Sequence, residues 1–273
     1  MMKLIFLDID GTLTVPGENI PPASALDAIE KARACGHKIF LCTGRNPDML
    51  SPLLVYGFDG VVACAGGYVT VGDEVLFDLP MTDEQRDMAL NSLHGKGVFC
   101  TIEAKDGSWG DENMDEFLKD QPEGNSEIER WRKALSENLG IRPMSEYDGR
   151  PVYKVVIMCT EMEQLDDAKA LLEKDFRFVV QEIPAHGCIN GELISRSFDK
   201  GKGVELVREH FGVAKEDTIG FGDSMNDLEM LETVGTSVVM DNGAKALKER
   251  ADLVCPAVTE DGLYKGFVEL GLI

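Results

Sequence analysis

The chain has 273 residues, 44% of them hydrophobic, enough to bury a substantial core and too many for a disordered chain. Its 27 Lys and Arg stand against 49 Asp and Glu, a formal net charge of −22. That balance excludes the basic surface needed for sequence-independent binding to nucleic acid or to anionic membrane, yet admits a small anionic substrate held by a few local cations or a metal.

The first third alternates strand and helix. Leu4–Ile9 is an apolar run predicted as a buried strand, and it carries Asp8 and Asp10 at its end, followed at once by Gly11. Alternate side chains of a strand share a face, so this spacing projects both carboxylates together at the carboxyl end. Two like charges so placed call for a cation or a proton. A strand running into an Asp-Gly turn is the plainer reading, and the segment alone does not decide between them. From Pro21 a helix is expected, with Ala25, Ile29 and Ala32 at helical spacing and a stop near Cys35-Gly36. Lys38–Cys42 is a second strand, broken by Thr43-Gly44-Arg45; after another helix, Gly60–Cys64 is a third, ending in Ala65-Gly66-Gly67. This alternation specifies a parallel sheet with crossover helices, and such sheets place ligands at the carboxyl ends of their strands. Asp8, Thr43 and Gly66 lie at such ends.

From about Thr82 to about Gly187 the pattern changes. Thr82-x-x-Gln85, Ser126-x-x-Glu129 and Thr160-x-x-Glu163 are spaced as capping boxes, each opening an amphipathic helix. Ile128, Trp131 and Leu135 share a face of the second helix, and Leu165, Ala168 and Leu172 a face of the third. Strand-like runs at Val98–Glu103, Val152–Cys159 and Phe176–Ile183 interleave them, and the polar segment Glu103–Glu116 is expected to be an exposed loop. The expectation is an α+β domain over residues 82–187, inserted into an α/β core made of residues 1–81 and 188–273. After Glu192-Leu193-Ile194 the core pattern resumes: a helix over Gly203–Phe211, a strand over Thr218–Phe221 ending in Gly222-Asp223, a helix opening at Leu228–Leu231, a strand over Thr236–Met240 and a helix over Ala244–Ala251.

The seven cysteines form no CxxC pair and several sit in apolar runs, so reduced, buried thiols of a cytoplasmic protein are expected. Met1-Met2-Lys3-Leu4 runs straight into the first strand without a signal-peptide pattern, and no apolar stretch approaches the ~20 residues of a membrane helix. Oligomeric state is open, monomer and homodimer alike.

Four short elements stand at strand ends or helix starts of the core: Asp8-Ile9-Asp10-Gly11-Thr12, Thr43-Gly44-Arg45, Asp199-Lys200-Gly201 and Gly222-Asp223-Ser224-Met225-Asn226-Asp227. Each alone is ordinary; in this order they suit phosphoryl transfer. A phosphomonoester resists an anionic nucleophile unless charge is cancelled and the nucleophile aligned. Asp8 and Asp223 suit magnesium, with Asp8 also attacking phosphorus to form an aspartyl-phosphate. Asp10 would protonate the leaving oxygen and then deprotonate water. Thr43 would give a hydroxyl and a backbone N–H to the phosphoryl oxygens, and Lys200, preferred to Lys202, would balance the carboxylates and clamp the transferring group. Asn226 and Asp227 would support the metal and its waters.

These four elements resemble motifs I to IV of the haloacid dehalogenase (HAD) superfamily, and their order resembles its Cof-like branch of sugar-phosphate phosphatases, type IIB with a C2 cap. Gly222–Leu231 is close to that branch's motif IV, and Val239-Met240-Asp241-Asn242-Gly243 and Glu260-Asp261-Gly262 are similar to its downstream signatures. The resemblance spans essentially the whole chain. It implies a Rossmann-like core with an inserted cap that closes over it; Asp8 and Asp10 as catalytic; Thr43, Gly44, Lys200 and Asn226 at the phosphate; Asp8, the Asp10 backbone carbonyl and Asp223 on Mg2+; and Ser224 and Asp227 behind them. Two positions depart: Ala65 stands where the branch commonly has Asn, removing one polar contact near the site, and Asp241 where Gly is frequent.

His37, His94, His186 and His210 form no metal-ligand spacing, so surface or structural roles are expected, with His186 the one that could face substrate. Trp109 lies in a polar loop within reach of substrate, Trp131 suits helix packing, and Arg150, Lys154 and Arg196 read as solvated cations. The activity expected is a magnesium-dependent phosphatase of a small phosphorylated metabolite, a sugar phosphate first, with pyridoxal phosphate or nucleotide monophosphates next. The rivals are a phosphomutase of the phosphomannomutase type and a catalytically silent metabolite-binding protein on the same fold.

Overall fold

The computed structural model describes residues 2–112, 140–183 and 188–273. Its strands, in chain order, are β1 (Leu4–Leu7), β2 (Lys38–Cys42), β3 (Gly60–Ala63), β4 (Tyr68–Val71), β5 (Glu74–Asp78), β6 (Phe99–Ala104), β7 (Gly107–Gly110), β8 (Ile141–Pro143), β9 (Val152–Cys159), β10 (Phe176–Ile183), β11 (Cys188–Ser195), β12 (Thr218–Gly222), β13 (Thr236–Met240) and β14 (Leu253–Cys255). They form two sheets. Eight lie in the order β14-β13-β12-β1-β2-β3-β4-β5 and six in the order β10-β11-β9-β6-β7-β8. The chain divides accordingly into one unit of Met1–Asp78 with Phe198–Ile273 and another of Leu79–Ser197.

In the first unit, β14 through β3 are parallel, and β4 and β5 return as an antiparallel edge hairpin. β1 is apolar and fully buried, as a strand covered on both faces must be. Phe6 stacks on Phe40 at 5.3 Å between ring centres, in one cluster with Val204 and Val207 of the helix Lys200–Phe211 and with Met230 and Leu231. On the opposite face Phe221 meets Phe267 of the helix Gly262–Glu269 at 5.2 Å, and the helix Ala23–Ala34 buries Ala25, Ala28, Ile29 and Ala32. The result is a three-layer α/β core with its parallel strand ends gathered on one edge.

β1 stops at Leu7, two residues short of the apolar run. The Ile9 carbonyl accepts the N–H groups of Thr12, Leu13 and Thr14 at 3.2, 3.0 and 2.9 Å, which closes a tight turn where the strand would have continued. The helix expected at Gly203 begins at Lys200, because Asp199 accepts the Lys202 N–H at 2.8 Å and caps it there. The helix expected over Ala244–Ala251 covers only Lys245–Lys248.

The second unit packs the helices Asp83–His94 and Asp166–Leu172 on one face of its six-stranded sheet, through Ala89, Leu93, Leu165, Ala168 and Leu172 against Cys100, Ile102, Val155, Ile157 and Leu193. The Thr82/Gln85 capping box forms as spaced. The Thr160 box does not: Gln164, not Glu163, closes the turn, its Oε1 accepting from the N–H groups of Thr160 and Glu161. The Ser126/Glu129 box, with Ile128, Trp131 and Leu135, lies outside the described residues, as does His186.

The segment from Glu103 is not an exposed loop. Gly107–Gly110 forms β7, all four residues buried, and Trp109 is 0% exposed. Its ring packs edge-on to Tyr147 at 5.5 Å, with the guanidinium groups of Arg142 and Arg150 each 4.9 Å from its centre. The cations read as solvated are likewise engaged within this unit. Lys154 is buried, 2.8 Å from Glu192 and 3.2 Å from Glu103. Burial works against its charge, but Glu103 and Glu192 outweigh it and hold the ammonium above its ordinary range. Arg150 pairs with Asp106 and Asp148, and Arg196 donates to the Glu173 and Phe176 carbonyls. Of the described thiols, Cys42, Cys64, Cys100, Cys159 and Cys255 are buried and Cys35 is exposed. No helix among the described residues is long and apolar enough to cross a membrane.

Candidate active site

The polar groups gather where β1, β2 and β12 end. Asp8 follows β1, its N–H still bonded to the Phe221 carbonyl at 3.0 Å, and it is buried. Lys200 opens the helix that packs beneath the sheet. Gly66, at φ +102°, lets the loop after β3 approach the backbone that presents this lysine: a Cβ there would lie 2.1 Å from the Asp199 carbonyl oxygen. The Lys200 ammonium is 2.8 Å from Asp8 Oδ1, 2.6 Å from Asp227 Oδ1 and 3.3 Å from Asn226 Oδ1, which matches its three donors with three acceptors. Lys202 is exposed, so Lys200 is the lysine that meets the carboxylates.

Asp223 follows β12. It, Asp8 and Asp227 each offer an oxygen within 4.8 Å of the other two. Asp227 is fully buried, and its Oδ2 accepts the Asp223 and Ser224 N–H groups at 3.0 and 3.1 Å, so it fixes the loop that presents Asp223. Ser224 Oγ donates to Asn226 Oδ1 at 2.8 Å. Asp223 Oδ1, by contrast, is buried without a hydrogen-bond partner.

One ammonium therefore faces three carboxylates. Burial, then the Asp227 charge, push Asp8 well above the ordinary carboxylate range, with Lys200 opposing and Asp223 adding to the rise. Asp223 is pushed up to about 7 by burial, then by Asp227, with Lys200 opposing and Asp10 adding. Burial disfavours the Lys200 charge, but Asp227 and Asp8 outweigh it and hold the lysine well above its usual range. Excess negative charge, all-oxygen donors and an orphaned buried carboxylate oxygen fit a small hard divalent cation such as magnesium.

Asp10 lies beside this cluster, near enough for its charge to add to the rise of Asp223, and its carboxylate is held from outside it. Because the chain turns after Asp8, the shared strand face is lost, and Asp10 instead takes a bidentate grip from Arg45, Nε to Oδ2 at 2.9 Å and Nη2 to Oδ1 at 2.7 Å. The Gly17 N–H adds a bond to Oδ1 at 3.0 Å, and Arg45 is itself anchored on Asn19 Oδ1 at 2.6 Å. Arg45 thus joins the candidate site through Asp10, a contact that the spacing of Asp8 and Asp10 does not announce. Its sequence signal is its place directly after Thr43-Gly44, at the end of β2 and beside the strand end that carries Asp8.

Thr43 is buried at the end of β2. Its N–H donates to the Val62 carbonyl at 2.8 Å, so the sheet consumes the backbone donor expected to serve a phosphate. Its Oγ1 accepts the Arg45 N–H at 3.1 Å, leaving the hydroxyl proton as what Thr43 can offer. Gly44 lies between them at the same strand end. The loop after β3 is tied to this turn, Ala65 N–H to Thr43 O at 3.0 Å and Cys64 N–H to Arg45 O at 2.9 Å. Ala65 holds φ 56° there, a left-handed conformation that Asn or Gly adopts more readily, so Ala65 keeps the turn while lacking the amide.

The downstream signature braces the same loops. Asn242 Nδ2 donates to the Gly11 carbonyl at 2.9 Å while its Oδ1 accepts the Val258 N–H at 2.9 Å, and Ala244 N–H holds the Asp223 carbonyl at 2.7 Å. Gly11, at φ +88°, lies so close to Asp223 that a Cβ would stand 2.3 Å from Oδ2. Gly11→Ala is therefore expected to displace Asp223, lowering the affinity of the carboxylate cluster for a divalent cation by at least ~10-fold in calorimetric titration and stability by roughly 1–2 kcal/mol from the backbone alone.

Of the histidines outside this edge, His37 Nδ1 accepts the Lys3 N–H at 3.0 Å and His210 packs on Phe211.

A parallel α/β core with an inserted α+β domain, and with its polar groups at these strand ends, is the architecture of the haloacid dehalogenase-like hydrolases. The match to that family runs over residues 5–267, and the protein belongs to it. The 5-amino-6-(5-phospho-D-ribitylamino)uracil phosphatase YwtE of Bacillus subtilis (strain 168) is 26% identical over 96% of each chain. The pyridoxal phosphate phosphatase YbhA of Escherichia coli (strain K12) is 27% identical, again over 96% of each. Among solved structures, the HAD subclass IIB sugar phosphatase BT4131 is 27% identical, with a TM-score of 0.76 over 99% of this chain and 100% of its own.

Proposed function

We propose that the protein is a magnesium-dependent phosphatase of a small phosphorylated metabolite, with sugar phosphates as the first class, acting through an aspartyl-phosphate on Asp8. The observation that carries this reading is the Lys200 ammonium, bonded at once to Asp8 and Asp227 beside the orphaned oxygen of Asp223. With Oδ1 held by Lys200, Asp8 Oδ2 attacks phosphorus, and the electron pair of the breaking P–O bond leaves on the ester oxygen. Asp10, fixed by Arg45 and the Gly17 N–H, acts as the acid for that oxygen and afterwards as the base for water. Lys200, Asn226 and the Thr43 hydroxyl hold the transferring phosphoryl group, with Gly44 beside them. Magnesium, held by Asp8, Asp223 and the Asp10 carbonyl, would supply cancellation of the carboxylate charge and withdrawal of charge from the phosphoryl oxygens. Ser224 and Asp227 would keep its ligands in place.

Relatives of nearly equal identity are named for two unlike phosphoesters, a phosphoribityl compound and pyridoxal phosphate, so likeness alone does not choose the substrate. The test is phosphate release from p-nitrophenyl phosphate and a panel of sugar phosphates, pyridoxal phosphate and nucleoside monophosphates. Turnover with magnesium, abolished by EDTA, is the expected result; tight metabolite binding with no phosphate released from any of them overturns the enzyme reading.

The raised Asp223 fixes a pH dependence. A protonated carboxylate does not ligate, so apparent magnesium affinity is expected to fall roughly tenfold per pH unit below about 7, measured by calorimetric titration. Without metal the sign reverses. A carboxylate raised from 3.8 to about 7 in the folded state adds stability that is full below 3.8 and is lost as pH rises through about 7. The metal-free protein is thus expected to melt lower at pH ~8 than at pH ~5, and magnesium to restore the difference at the higher pH.

A further inference from the structure

His94, Cys100 and Asp111 converge in the second unit on chemistry that phosphate ester hydrolysis does not use. The helix Asp83–His94 ends at His94, and Gly97, at φ +70°, turns the chain directly into β6. The turn is closed by Gly97 N–H on the His94 carbonyl and Val98 N–H on the Leu93 carbonyl, and it brings Cys100 beside the imidazole. Asp111 arrives from the other side, immediately after β7, the antiparallel partner of β6. Its N–H donates to the Cys100 carbonyl at 2.9 Å, and its Oδ2 accepts the Cys100 N–H at 2.7 Å while lying 2.9 Å from His94 Nε2. An imidazole nitrogen, a thiol sulfur and a carboxylate oxygen thus lie within 4.8 Å of one another, each set by a different piece of backbone.

We propose that His94, Cys100 and Asp111 form a second cation site, selective for a borderline-soft divalent ion of the zinc type and different in chemistry from the all-carboxylate cluster of the first unit. Magnesium takes oxygen ligands and refuses a thiolate, whereas zinc accepts sulfur, nitrogen and oxygen together in a four-coordinate shell. The exposure of the three side chains sets the direction of entry. Cys100 is fully buried, while the Asp111 and His94 side chains are 16% and 40% exposed, so the ion comes in over the imidazole and its fourth position faces water. On binding, the Cys100 S–H bond is replaced by a sulfur–metal bond and the proton passes to solvent. The ion would tie the end of the helix Asp83–His94 to the β6–β7 hairpin, adding metal bonds to the apolar packing of Leu93 on Cys100 and Ile102 and to the single carboxylate oxygen that His94 and the Cys100 N–H share. The competing account is a surface His–Asp pair above a cysteine that only fills the core.

Cobalt(II) separates the two, because cobalt–thiolate bonds absorb in the near ultraviolet and carboxylate-only sites do not. The titration uses full-length protein in a thiol-free phosphine reductant, with magnesium in excess to compete at the carboxylate cluster. One equivalent of cobalt is expected to give the thiolate band together with the visible bands of a tetrahedral ion, and zinc, not magnesium, to abolish both. Cys100→Ala removes the band, His94→Gln weakens cobalt binding by roughly 10–100-fold, and Cys35→Ser and Asp223→Asn leave the band unchanged. Absence of the band in the unmodified protein, its survival in Cys100→Ala, or its loss in Cys35→Ser overturns the site. His94 is exposed and its replacement spares the core, so unchanged cobalt affinity in His94→Gln overturns it as well, even where Cys100→Ala fails to fold.

Discussion

Asp8→Asn is expected to abolish turnover of p-nitrophenyl phosphate, by at least ~10^4-fold, without lowering the melting temperature. The two halves of this result come from the same geometry. The carboxylate proposed to attack phosphorus is buried and crowded by Asp227 and Asp223, and its charged form is disfavoured by that burial first and by those charges next. An amide of the same shape keeps an oxygen for the Lys200 bond at 2.8 Å and removes one of the repelling charges. Stability is therefore expected to hold or to rise by ~1 kcal/mol, the usual sign when a strained catalytic group is neutralised. Measurable activity in Asp8→Asn removes Asp8 as nucleophile, and lost activity with a lower melting temperature makes it a structural residue instead. Acid-quenched unmodified enzyme carrying an acyl phosphate that hydroxylamine cleaves, absent in the variant, would locate the covalent step on this side chain.

The sequence made Asp8, Lys200 and Asp223 legible because each ends a strand or opens a helix whose apolar pattern is unmistakable, and topology then brings such ends together. At Asp10 the shared-face argument does not hold, for a physical reason. A two-residue spacing implies a shared face only while the strand lasts, and here the Ile9 carbonyl captures three N–H groups and ends it. The Arg45 grip followed from that turn and could not be seen without it. Thr43 failed in the same manner: whether a backbone N–H is available depends on sheet register, and β3 claims it. In the second unit, β7 was hidden because its glycines and serine carry no apolar alternation, although pairing with β6 buries all of it. The buried Lys154 between Glu103 and Glu192 has no sequence signature either, since its partners come from neighbouring strands. Periodicity reports which face a residue occupies, and register decides what it meets there.

Lys200→Met is expected to cost both stability and catalysis, and the comparison with Lys202→Met shows why position outweighs residue type. Lys200 is 2% exposed and its ammonium is bonded to Asp8, Asp227 and Asn226. Methionine fills much of the same volume but leaves three neighbouring carboxylates with no compensating charge. Removing one partner of such a buried group typically costs ~3–5 kcal/mol, and that loss is expected in urea unfolding at neutral pH. The loss should shrink at pH ~5, where Asp223, raised to about 7, takes up a proton and the repulsion fades. Saturating magnesium should recover part of it at pH ~8 by supplying positive charge to the same carboxylates. Turnover at saturating magnesium is still expected to fall by ~10^2–10^3-fold, because the clamp on the transferring phosphoryl group is gone even when the fold is rescued. Lys202→Met, on the exposed side of the same helix turn, should change stability by no more than ~0.5 kcal/mol and leave turnover intact. A stable, fully active Lys200→Met enzyme would contradict the charge balance on which the whole site depends.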